Sequence, residues 1–193
     1  MKKFLMSMVV AIFLVSGNFV EAAGFTSDQA EKIISHLSNN PAIQSSKTLN
    51  TNVESFQKSF NAQVESIVKQ ANLSAEDSAA LQNVLLIKDY KTFSESGRNL
   101  FLNNFGNSIT VLGISEENSN FKILSFCFTV PENKSEENVL DLVFTTFARV
   151  LLPDADLKKL LIEVKANSSY TQNGIKFSLF QDGTLNILDL AAE

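Results

Sequence analysis

The chain of 193 residues has no tryptophan, one cysteine, one histidine and three prolines. A lone thiol, Cys127, excludes an internal disulfide. With a lone imidazole, His36, it also excludes any centre built on two thiols or two histidines, zinc ribbons included. Glycine is scarce as well. The seven glycines are scattered and never form a phosphate loop or a dinucleotide fingerprint, both of which need them clustered before a helix. Arginine occurs only at Arg98 and Arg149, and acidic groups outnumber basic ones by 21 to 16, which argues against neutralising a nucleic-acid backbone. No collagen period or coiled-coil heptad runs through the chain.

Lys2 and Lys3 precede an apolar run from Phe4 to Val15, followed by Gly17, Asn18 and the small residues Ala22, Ala23 and Gly24. That order is the signature of a secretory signal peptide, with cleavage expected after Ala22 or, alternatively, Ala23. About 12 apolar residues span about 18 Å against roughly 30 Å of hydrocarbon, so no stable membrane anchor is expected after cleavage. No cysteine lies at the junction to carry a lipid. Removing residues 1–22 removes Lys2, Lys3 and Glu21, leaving 14 basic and 20 acidic side chains and a net charge of −6. An exported chain without disulfides points to a bacterial periplasmic or secreted protein. In that setting the three Asn-x-Ser sequons, at Asn72, Asn133 and Asn167, are accidental.

The remaining residues, about 170, suffice for one domain that buries roughly 68–70% of its unfolded surface. Ser27 to Leu37 has helical spacing in Ile33, Ile34 and Leu37, and residues 38–51 read as a polar surface linker. A second helix is expected over Asn52–Ala71, with a stripe of Val53, Phe56, Phe60, Val64, Ile67 and Val68. Ser74 with Asp77 opens a third. Val84–Tyr90 reads as a strand or as the continuation of that helix, and Thr92–Gly106 is ambiguous. Ile109–Ser115 and Phe121–Val130 alternate as a hairpin, with Leu124, Phe126, Phe128 and Val130 toward the core.

Past Pro131, the acids behind Ser135 start a helix that ends at Pro153. Asp154 or Asp156 caps the next, which carries Leu157, Leu160, Leu161 and Val164 on one face. A closing hairpin, Ile175–Gln181 with Thr184–Leu190, is expected around Asp182-Gly183 as a type I′ turn. In that register Phe177 opposes Leu188 and Lys176 opposes Asp189. The expected organisation is a signal peptide over 1–22, a helix and linker over 23–51, and a single α+β domain over 52–193. Its fold class is an antiparallel β-sheet packed on one side by helices, with an N-terminal helical segment.

Reactive chemistry finds little support. His36 sits near a helix C-terminus, where an imidazole is an ordinary polar residue, and no spacing supports a catalytic triad. Cys127 lies in an apolar strand, where a thiol is inert. Asp154 and Asp156 precede a periodic run and read as caps, and the residues after them lack the alternate oxygen donors of a calcium loop. No catalytic residue, metal or cofactor is therefore expected.

What the chain has in abundance is phenylalanine, sixteen in all and thirteen after the leader, since Phe4, Phe13 and Phe19 precede the cut. Most fill a core. Phe101, Phe105 and Phe180 lie in ambiguous or outward positions and are the candidate binding residues. The expectation is an exported, non-enzymatic binding or protein-interaction module, with a protein partner or apolar ligand and no nucleic acid. The alternatives are a carrier of a lipophilic small molecule in a Phe-lined cavity, and a hydrolase using two of Asp89, Glu95, Asp141, Asp154, Asp156 and Asp182.

Overall fold

A computed structural model describes residues 25–95, 97–106, 108–116 and 119–193. The signal peptide expected over 1–22 lies outside them. The described elements are α1 (Ser27–Asn39), a 3-10 turn (Pro41–Gln44), α2 (Val53–Gln70), α3 (Ala75–Leu85), β1 (Lys91–Glu95), β2 (Arg98–Phe105), β3 (Ile109–Glu116) and β4 (Phe121–Thr129). They continue with α4 (Lys134–Leu151), α5 (Leu157–Asn167), β5 (Ser169–Gln172), β6 (Ile175–Asp182) and β7 (Leu185–Ala192). The seven strands form one sheet in the order β1-β2-β3-β4-β7-β6-β5, antiparallel at every pairing. The protein is α+β. No described helix is long and apolar enough to cross a membrane.

Caps fix where the helices begin. Thr26 and Gln29 form a reciprocal capping box on α1, Asn52 accepts from Ser55 N at α2, and Asn133 accepts from Glu136 N at α4. Asp156, rather than Asp154, caps α5 through a 3.0 Å bond from Lys159 N.

Strand alternation sorts the sheet into two apolar faces. Phe101, Phe105, Val111, Phe126, Phe177 and Leu188 meet α2, α3, α4 and α5 on one of them. Leu100, Leu102, Leu112, Ile123, Leu185 and Ile187 point the other way, onto Ile33, Ile34 and Leu37 of α1. The N-terminal helical segment therefore forms the second layer of the body. In β4, Leu124 and Phe126 face the main helices as expected, while Ser125 and Cys127, on the opposite side, are also buried under α1.

Residues 38–51, expected as a surface linker, begin inside α1, which runs to Asn39, and are anchored beyond it. Ile43 is buried with α1 and Leu49 with α2, so the segment carries the chain from one face of the sheet to the other. It is tied to the start of β4. Leu49 N donates to Phe121 O (2.7 Å), Phe121 N donates to Thr51 O (2.9 Å), and the buried Lys122 ammonium donates to Ser45 O (2.8 Å).

Three sequence expectations need correction. Of the two readings of Val84–Tyr90, the helix continuation holds as far as Leu85 and the strand does not form, because the Ile87 backbone is held by side chains of α2. Asn61 Oδ1 accepts from Ile87 N at 2.9 Å, and Gln57 and Asn61 both donate to Ile87 O at 3.0 Å. The closing hairpin is shifted by two residues. Its central pair is Gly183-Thr184, with Phe177 opposite Leu190 and Asp189 opposite Ser178, so Lys176 faces Ala191 and never meets Asp189. A positive φ of 61° at Gly183 alone fits a type II′ turn, which wants glycine at its first central position. A shift of two preserves which residues share a face, so Phe177 and Leu190 still reach the core. Finally, β5 went unrecognised. It joins β6 through Asn173 and Gly174, both at positive φ (53° and 74°), the requirement of a type I′ turn.

Between Ile114 and Ser115 the β3–β4 register slips, which turns Phe121 toward the same face as Leu124. The Phe121 ring then lies over Gly113. A Cβ there would come within 2.8 Å of Phe121 Cδ1, closer still to Cε1, and within 3.0 Å of Leu124 Cδ2. Both side chains are fully buried and cannot swing away. Gly113→Ala is expected to lower stability by about 1–3 kcal/mol, read as a lower urea midpoint at unchanged slope. An unchanged midpoint would refute this packing.

Candidate binding groove

The three phenylalanines singled out from sequence are not brought together. Phe101 and Phe105 are fully buried and pack as core. Phe101 meets Phe56 edge-on at 5.9 Å and Tyr90 at 5.2 Å, and Phe105 meets Phe60 at 5.3 Å. Neither forms an exposed cluster, because β2 alternation sends both under α2. Phe180 lies on the opposite face of the sheet, its ring centroid 4.7 Å from that of His36.

His36 marks a polar network that links α1 to the sheet. Asp189 stands in β7 between Leu188 and Leu190, is 3% exposed, and has both carboxylate oxygens filled. Ser125 donates to Oδ1 at 2.6 Å. Oδ2 accepts from Asn40 Nδ2 at 2.7 Å and from His36 Nε2 at 2.6 Å. A buried carboxylate is tolerated only when such donors replace its water. The order differs from a catalytic triad, since the serine hydroxyl is bonded to the acid and the imidazole to the acid's other oxygen. Chemically this is a clamp. Sequence reading paired Asp189 with Lys176 and missed its partners Ser125 and Asn40; the signal was an acid inside the apolar run of β7, which demands buried partners. Close by, Cys127 is fully buried, and burial first and the Asp189 charge second push its thiol well above the ordinary range.

A different surface, on the other face of the sheet, is concave. Helix α4 packs against α2, whereas α5 packs on β5 and β6, and a groove of about 280 Å³ opens where the two helices diverge over the sheet. Phe126 and Phe128 of β4 form its floor with Leu179 of β6 and Leu188 of β7. Leu140 and Phe144 wall it on the α4 side, and Leu161 and Val164 on the α5 side. Val130, 56% exposed, stands at its mouth, and Asp141, Lys165, Gln181 and Asn186 make the rim polar. An apolar body with few polar groups around it is the usual make-up of a binding site.

The carboxylates considered for hydrolysis are dispersed. Asp156 is occupied as a cap, Asp182 pairs with Lys32 at 2.9 Å, Asp89 and Asp154 are exposed, and Asp141 alone of them lines the groove. The Glu95 side chain lies outside the described ones. Among the described residues, no three His, Cys, Asp or Glu side chains gather as metal ligands. Comparison with known proteins returned no match, whether to family models, curated proteins or solved structures.

Two measurements check the clamp. Asp189→Ala should cost about 1–3 kcal/mol by orphaning buried donors, and His36→Ala should cost less, because Asp189 keeps two bonds. The reverse order would contradict the network. Cys127 should resist a thiol reagent in the native protein at pH about 8 and react on unfolding in denaturant. Rapid native labelling would show that α1 does not cover it.

Proposed function

We propose that the protein is an exported, non-catalytic binding module of the bacterial cell envelope, working through the groove between α4, α5 and the sheet. The observation that carries this reading is the groove itself: a dip lined by Phe128, Leu140, Leu161 and Leu179, all half-buried, over the buried Phe126 and Leu188, with Val130 exposed at its mouth. Export rests on the leader at residues 1–22, and absence of catalysis on the dispersed acids and the saturated Asp189. A carrier of a lipophilic small molecule is the second reading, favoured by the three phenylalanines that touch the groove. Its volume, just below the roughly 300–1,000 Å³ typical of ligand pockets, and its open side fit part of a larger partner better than an enclosed lipid.

Titration with the apolar fluorophore N-phenyl-1-naphthylamine tests the groove. Saturable binding at one site is expected, weakened several-fold by Val130→Asp, an exposed substitution that leaves the core alone. Equal binding by the variant would move the site elsewhere. Native mass spectrometry of protein purified from its own source separates the two readings. A ligand-free chain is expected, and a stoichiometric lipid would replace the interaction module with the carrier.

A further inference from the structure

The apolar groove does not end at Asp141. It adjoins a shallow depression of about 460 Å³ lined by Pro131, Glu132, Asn133, Glu137, Leu140 and Asp141, and the two share Pro131, Leu140 and Asp141. A surface that begins apolar thus runs out onto three carboxylates, all exposed. The shelf is held in shape. Glu136 accepts from Glu132 N and from Asn133 Nδ2, both at 2.9 Å, while Asn133 caps α4. Lys134 pairs with Glu137 at 2.9 Å and its charge also reaches Asp141, whereas Glu132 has no ion pair among the described residues, and Lys165 is the one cation lining the groove among them.

Resting on the binding reading above, we infer that the occupant is a peptide segment of a partner protein: apolar side chains seated in the groove, followed directly by Lys or Arg over the acidic shelf. Charge complementarity selects this occupant. An anionic lipid headgroup would meet Glu132 and Asp141 with the wrong sign, in a mature chain already at −6. The groove runs on into the shelf through Pro131, Leu140 and Asp141, which suits an extended occupant such as a peptide.

The test uses fluorescence anisotropy of the mature protein with two labelled peptides, LFLLGKRK and LFLLGEDE. The basic peptide should bind about five- to tenfold more tightly in about 20 mM salt, since a few exposed charges each contribute a small factor. Its advantage should largely vanish in about 0.5 M salt. A triple variant, Glu132→Lys, Glu137→Lys and Asp141→Lys, should invert the preference, and Val130→Asp should weaken both peptides. Equal binding of the two peptides at low salt would overturn the charge inference and leave the groove reading intact. So would failure of both peptides while N-phenyl-1-naphthylamine still binds. Loss of peptide and fluorophore alike would bring down both.

Discussion

Burial of the central strands on both faces is the constraint from which the rest follows. Strands β3, β4 and β7 send Val111, Phe126 and Leu188 toward the main helices and Leu112, Ile123 and Ile187 toward α1, so neither face can be left to water. A sheet of this kind needs a helical layer on each side. The N-terminal segment supplies the second layer and must be held there. Apolar contact from Ile33, Ile34 and Leu37 does most of that, and the Asp189 network adds direction, since its donors come from α1, the following turn and β4. The same burial places Cys127 out of reach of solvent and leaves Ser125 committed to a carboxylate.

The groove arises from the same geometry on the other face. Helix α4 follows α2 across the phenylalanine core, where Phe56 and Phe147 meet edge-on at 6.0 Å. Helix α5 is drawn instead toward β5 and β6, to which it connects through Ser168 in the left-handed conformation. Four helices spread over seven strands leave a gap, and the strands beside it carry Phe128 and Leu179 rather than polar residues there. Half-buried apolar side chains at the edge of such a gap are the kind of surface that marks interaction sites in other proteins, which is why the proposed function is placed there.

Much of the fold was legible because helical stripes and caps are local. Asn52, Ser74 and Asp156 are caps followed by periodic apolar residues, and each helix begins where those signals stand. The misread parts depend on tertiary partners. Ile87 looks like a strand residue until Asn61 and Gln57 claim its backbone. Asp182-Gly183 and Gly183-Thr184 are both plausible turns that keep the same faces, so side-chain alternation could not choose between them. The candidate site was read less well. Phenylalanine abundance did not single out the groove: Phe101 and Phe105 are core, and Phe126, Phe128 and Phe144 line the groove because α4 and α5 diverge, which no local pattern encodes.

Site-specific photo-crosslinking in the cell that makes the protein tests the central claim most directly. A photoreactive side chain placed at Val130, at the mouth of the groove, should yield a discrete adduct with a partner protein, whereas one placed at exposed Glu31 on α1, across the sheet, should yield none. Adducts from Glu31 but not Val130, or none from Val130, would contradict the account.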